Sequence, residues 1–154
     1  MTAGHLVIGY GNGLRSDDGV GPEVAARLAR DARLRDAVVI AGHQLTPELA
    51  LDVSQSTHVV FVDASTAVPA GQVVVRRLSP ATGGSAWTHH VTPERLVAMA
   101  SELYSAAPGA TLVSVGVASL EAGEALTPVV AAVVDDVVEA VVRIVRNVQA
   151  PVRA

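Results

Sequence analysis

Apolar positions along the chain fall into short continuous runs, separated by longer segments that carry a helical beat. Leu6-Val7-Ile8, residues 37–40 and Val59-Val60-Phe61-Val62 are unbroken apolar runs, the pattern of strands buried on both faces of a parallel sheet. The third run is expected to end at Asp63. Val73-Val74-Val75 predicts a fourth strand, and the flanking Arg76 and Arg77 place it at a sheet edge, where charge discourages further pairing. Residues 111–115 predict a fifth.

Between these runs the period changes. Val24, Leu28 and Ala32 recur at helical spacing over residues 23–33, and Pro22 suits a first helical turn. Thr46 and Pro47 predict the cap and first position of a second helix, and Thr92 and Pro93 those of a third that runs to about Tyr104. Thr127-Pro128 opens the last helix. Its stripe of Val130, Val133, Val134, Val137, Val138, Val141, Val145 and Val148 steps by three and four, as one buried face requires. Residues 79–88, which hold Gly83, Gly84, Ser85 and the single Trp87, have no period and read as a mobile loop.

Strands alternating with helices predict an α/β fold: a three-layer sandwich with a mostly parallel, twisted five-stranded sheet flanked by helices. No repeat, linker or composition shift divides the chain. Residues 1–150 are expected to form a single domain and residues 151–154 a frayed tail.

Composition narrows the chemistry. The 154 residues are half hydrophobic but only 3% aromatic, so the core must be built from Val, Leu, Ile and Ala. Cysteine is absent, which removes disulfides, thiolate metal sites and Cys nucleophiles. Every Lys/Arg position is Arg, which removes Lys-based catalysis. The net charge of -4 argues against nucleic acid as a partner. No apolar run approaches the roughly 20 residues of a membrane span, and no signal-peptide pattern opens the chain. The expectation is a cytoplasmic protein with neither nucleic-acid nor membrane partners.

The first strand runs into Gly9-Tyr10-Gly11-Asn12-Gly13-Leu14-Arg15-Ser16-Asp17-Asp18-Gly19-Val20-Gly21. A glycine-rich turn after a first strand commonly cradles phosphate with backbone N–H groups and often a Lys. Two adjacent carboxylates here would repel phosphate and attract a cation. In a parallel sheet, ligands collect at the carboxyl ends of the strands. If the first and third strands are neighbours, Asp17 and Asp18 converge with Asp63. His89 and His90 enter from the loop before a later helix, and two carboxylates with an imidazole suit a divalent transition metal. Asp17 also reads as a cap for the helix starting near Gly21. His43 and His58 read as surface groups or as groups lying behind a ligand, and His5 carries no functional signal. Rival chemistries lack their motifs: there is no G-x-S-x-G elbow, no G-K-[ST] phosphate loop and no H-E-x-x-H helix.

These residues resemble a family. Gly9-x-Gly11-Asn12-x-Leu14-x-x-Asp17-Asp18-Gly19-x-Gly21 resembles the N-terminal signature of the nickel–iron hydrogenase maturation endopeptidases. His58-Val59-Val60-Phe61-Val62-Asp63-Ala64 is similar to their second acidic motif, and Thr88-His89-His90-Val91-Thr92-Pro93 to their histidine motif. Leu112-Val113-Ser114-Val115-Gly116, Ser119-Leu120-Glu121 and Leu126-Thr127-Pro128 resemble their C-terminal strand and the start of the helix after it.

The resemblance implies an enzyme that removes the C-terminal extension of a nickel–iron hydrogenase large-subunit precursor after nickel insertion, with the precursor's nickel as the recognition signal. It places Asp18 at the first acidic metal ligand, commonly Glu, Asp63 at the second, and His89 at the histidine, with His90 as the rival one position on. Asp18, Asp63 and Asp17 are its catalytic candidates. Nickel arrives with the substrate, and the isolated protein is open to another divalent metal. Asp18 in place of the common Glu sustains a second expectation: a non-cleaving binding module or chaperone for a metalloenzyme precursor. His43-Gln44-Leu45-Thr46-Pro47-Glu48-Leu49 departs from the family pattern and leaves open whether His43 meets the substrate peptide.

Overall fold

The computed structural model describes residues 3–80 and 91–149. His89, His90, Trp87, most of the expected loop and the expected tail lie outside the described residues.

Five strands form the sheet: β1 (Ala3–Tyr10), β2 (Val38–Gly42), β3 (Ser56–Ser65), β4 (Val73–Arg77) and β5 (Gly109–Gly116). Their order is β2-β1-β3-β5-β4. The first four run parallel, and β4 lies antiparallel to β5 at the edge. The helices are α1 (Val20–Ala29), α2 (Leu49–Ser54), α3 (Pro93–Tyr104), α4 (Pro128–Ala131) and α5 (Val134–Gln149). The expected three-layer α/β sandwich and its edge strand are both present.

Side chains alternate across the pleat, which is how one apolar run serves two cores. Val7, Val60, Val62, Val113 and Val115 face α1 and α5. Leu6, Ile8, Val59, Phe61 and Leu112 face α2 and α3. After β2 the chain passes back over β1 to lay down β3 on its other side. The strand order therefore reverses between β1 and β3, which opens a crevice at their carboxyl ends.

The structure corrects several local expectations. α1 stops at Ala29, where Arg30 and Asp31 bond to the carbonyls three residues back and tighten the chain. Ala32 is exposed, and Leu34 fills the core in its place. Thr46 does not cap α2: Leu49 and Ala50 bond to Thr46 and Pro47 in a tight turn, and Glu48 occupies the cap position. β3 does not end at Asp63 but continues to Ser65, paired with Gly116. The last helix is two helices, because Val133 bonds three residues back to Val130 and tightens the chain between α4 and α5. Val130, Val134, Val137, Val141 and Val145 still point into the core, so the valine stripe runs across the break. The Val148 side chain falls outside the described residues.

Thr92 caps α3 as expected, its hydroxyl accepting from the Arg95 N–H at 3.1 Å. His58 is not a surface group. It is 4% exposed and bonds through Nε2 to the Thr111 hydroxyl at 2.9 Å, near the equally buried His5. No helix among the described residues is long and apolar enough to cross a membrane.

Candidate active-site cleft

The crevice at the carboxyl ends of β1 and β3 is a cleft of about 400 Å³, lined by Tyr10, Asn12, Arg15, Asp18, His43 and Asp63 among others. Asp18 reaches it from the tight turn Ser16–Gly19 that precedes α1, and Asp63 from β3. The switch point of the sheet thus brings the two carboxylates into one space.

The glycine loop is shaped to deliver Asp18. Gly11 has φ 150°, and a Cβ there would fall inside contact distance of the Asp18 carbonyl oxygen. Only glycine fits that close approach. Gly21 plays the matching part at the start of α1, where a Cβ would collide with the Tyr10 backbone. With the loop so folded, the Asn12 N–H donates to Asp18 Oδ2 at 2.7 Å, and the Asn12 side chain accepts from the Leu14 N–H at 2.9 Å.

A second set of bonds ties the loop to the chain after β5. Ser16 holds a left-handed φ of 51°, an uncommon conformation for a residue with a side chain. Its N–H donates to the Gly123 carbonyl at 2.8 Å and its hydroxyl to the Glu121 carbonyl at 2.7 Å. Asp17 completes the tie. It is fully buried and accepts from the N–H groups of Ala118, Ser119 and Thr127 and from the Thr127 hydroxyl. Burial pushes its carboxyl up, but these hydrogen bonds outweigh burial and hold it below the ordinary carboxylate range. Asp17 does not line the cleft. The structure brings Asp18 and Asp63 together and turns Asp17 away from them.

Asp63 has the opposite environment. Burial and the nearby Asp18 charge push its carboxyl up to about 6, against the hydrogen bonds it accepts from Tyr10 and from the Ala64 N–H. The Tyr10 hydroxyl donates to Asp63 Oδ2 at 2.8 Å, and burial together with the Asp63 charge pushes the Tyr10 phenol above its ordinary value.

Sequence reasoning passed over Tyr10, although strand alternation puts it on the face of Leu6 and Ile8, opposite Val7. His43 lines the cleft from the loop after β2 but does not join the carboxylates as a ligand group. Among the described residues no three His, Asp or Glu side chains gather closely enough to hold a metal ion. Both candidate histidines lie outside those residues, and the segment that follows them, Val91, Thr92 and Pro93, forms part of the cleft wall.

The fold that carries this cleft is also found in solved structures. This is the fold of the nickel–iron hydrogenase maturation proteases. The chain superposes on the [NiFe] hydrogenase maturation protease HycI from Thermococcus kodakarensis KOD1 with a TM-score of 0.74 at 19% identity, covering 94% of each chain. It superposes on the hydrogenase 2 maturation peptidase from Thaumarchaeota archaeon SCGC_AB-539-E09 with a TM-score of 0.72 at 24% identity, covering 93% of this chain and 98% of that one. For the hydrogenase maturating endopeptidase HybD from E. coli the TM-score is 0.71 at 24% identity, covering 94% and 93%. No family model matches the chain, and no curated protein matches it. The maturation-protease fold is therefore shared across nearly the whole length, while the sequence has diverged far.

Proposed function

We propose that this protein is a processing endopeptidase that removes the C-terminal extension of a nickel–iron hydrogenase large-subunit precursor after nickel insertion. The observation that carries the reading is the convergence of Asp18 and Asp63 in one cleft of the maturation-protease fold. Every solved structure cited for that fold is named as a maturation protease or peptidase.

In this reading the nickel belongs to the substrate. Asp18 and Asp63 supply two oxygen ligands, and His89 supplies the imidazole, with His90 the rival. Such a set suits a divalent transition metal, which supplies Lewis acidity toward the scissile carbonyl and neutralises the paired carboxylates. Asp63 and Asp18 dock the metal-bearing segment so that the scissile peptide lies in the cleft. A carboxylate released from the metal is suited to take a proton from an attacking water, a part this reading gives to Asp63. Asp17 acts from behind: its commitment to Ala118, Ser119 and Thr127 leaves it to position the loop rather than to meet substrate. His43 and Arg15, on the cleft lining, face the peptide that flanks the scissile bond. In this reading the protein works in the cytoplasm.

The test is cleavage of a nickel-loaded precursor by the parent and by Asp63→Asn. The parent is expected to shorten the large subunit, and Asp63→Asn to leave it full length. Equal cleavage by both would sink the reading. Binding of the precursor by the parent with no shortening favours the non-cleaving chaperone instead.

A further inference from the structure

Asp63 does not stand alone in the cleft. Tyr10 leaves β1 one register beyond Gly9, which pairs with Val62 on β3, so the phenol reaches the neighbouring strand's carboxylate directly. Its hydroxyl donates to Asp63 Oδ2 at 2.8 Å, and the Ala64 N–H also bonds to that carboxylate. The Asn12 N–H donates to Asp18 Oδ2 at 2.7 Å. Each carboxylate thus accepts a hydrogen bond at its Oδ2 from a donor at or just beyond the end of β1. Tyr10 is half-buried and lines the same cleft as Asp18 and Asp63, so its hydroxyl sits where it senses what binds there.

We infer that Tyr10 is a positioning residue: its hydroxyl fixes the rotation of Asp63 and makes that carboxylate a one-oxygen donor to a divalent transition metal. The inference rests on the reading of Asp63 as a metal-docking group. Carboxylate ligands are held by hydrogen bonds from the next layer of side chains, and losing such a bond costs roughly 10- to 100-fold in metal affinity. With Oδ2 engaged by the phenol, two-oxygen binding is disfavoured. That selects against calcium, which takes many oxygens and often both from one carboxylate, and in favour of nickel or zinc, which accept fewer and softer donors.

The position also makes Tyr10 a built-in reporter. A cation on Asp63 withdraws charge from the oxygen that accepts the phenol proton, which changes the tyrosine ultraviolet absorbance. The chain has two tyrosines, and the other, Tyr104, is exposed at the end of α3.

The experiment titrates the full chain with nickel chloride and separately with calcium chloride, following the tyrosine difference spectrum and, by calorimetry, the affinity. Nickel is expected to produce a tyrosine difference band in the parent and in Tyr104→Phe, and none in Tyr10→Phe. Nickel affinity is expected to fall roughly 10- to 100-fold in Tyr10→Phe, with nickel preferred to calcium less strongly than in the parent. A thermal melt of each variant shows that the loss is not one of folding. No nickel-induced band in the parent, or equal nickel affinity in parent and Tyr10→Phe, overturns the inference. A parent that shows the band but leaves the precursor uncut contradicts the endopeptidase reading and leaves the role of Tyr10 standing.

Discussion

Asp17 and Thr127, 110 positions apart, are joined twice: the Asp17 carboxylate accepts from the Thr127 N–H at 2.7 Å and from its hydroxyl at 2.8 Å. That pair fastens the glycine loop to the start of α4. Its neighbour Asp18 is thereby held over the switch point of the sheet, and the buried carboxylate serves the half-buried one.

Replacing Asp17 by Asn is expected to destabilise the fold strongly. Asn offers a single acceptor oxygen and turns an NH2 group toward N–H donors. A buried network broken in this way costs about 3 kcal/mol, which for a chain of this size lowers the melting temperature by roughly 6–12 °C. Because hydrogen bonding holds the folded-state pKa of Asp17 down, its contribution is present above the ordinary carboxylate pKa and is lost as pH falls through the lowered folded value. Thermal melts across pH are expected to show the deficit shrinking in acid. Asp135→Asn, at an exposed ion pair with Arg27, is the comparison and is expected to change stability by under about 1 kcal/mol.

Asp63→Asn is expected to act in the other direction. The folded-state pKa of Asp63 is raised to about 6, so the folded protein favours the protonated form. Its contribution is fully present below the unfolded pKa and is lost as pH rises through about 6. At alkaline pH the variant escapes this loss and is expected to be more stable than the parent, by about 3 kcal/mol. The gain is expected to vanish in acid. Chemical denaturation at both ends of the range measures it, and a variant less stable than the parent at alkaline pH contradicts the assignment. Divalent-metal affinity of the parent is expected to weaken as pH drops through about 6, because metal and proton compete for the same carboxylate.

The strands, their edge and the three layers were legible in the sequence because buried parallel strands must be continuous apolar runs. The meeting of Asp18 with Asp63 in one crevice was legible too, because carboxylates after β1 and near the end of β3 converge once those strands are neighbours. What Asp17 does was not. A carboxylate beside another in a turn looks the same whether it faces a cleft or a backbone, and only the approach of residues 118–127 decides. The break between α4 and α5 left no mark, since Val130 and Val134 stay in step across it. Tyr10 was hidden among glycines that drew attention to the loop and away from the strand alternation that aims it at Asp63.

His5 and His58 predict an acid-sensitive core at the end of the sheet away from the cleft. Burial lowers the pKa of both, so the folded protein disfavours their charged forms. Stability is then full above the unfolded histidine pKa and falls as pH drops below about 6.5. His58→Gln, which keeps a partner for the Thr111 hydroxyl, is expected to flatten that fall. Melting temperatures from pH ~7 to ~5 decide it, and an unchanged slope in the variant contradicts the account.

Gly11→Ala is expected to damage the site more than the fold. The added methyl would meet the Asp18 carbonyl at a φ of 150°, which pushes Asp18 off its Asn12 anchor. Divalent-metal binding by calorimetry is expected to fall at least tenfold. Gly13→Ala, where a Cβ would meet nothing within 4 Å, is expected to leave metal binding within about twofold of the parent, since surface changes away from such contacts are small.

The most direct test of the central claim is the intact mass of a hydrogenase large-subunit precursor after incubation with the protein, in nickel-loaded and nickel-free forms. The account predicts a loss equal to the C-terminal extension in the nickel-loaded sample and an unchanged mass in the nickel-free one. An unchanged mass in the nickel-loaded sample, or the same loss in both, would contradict it.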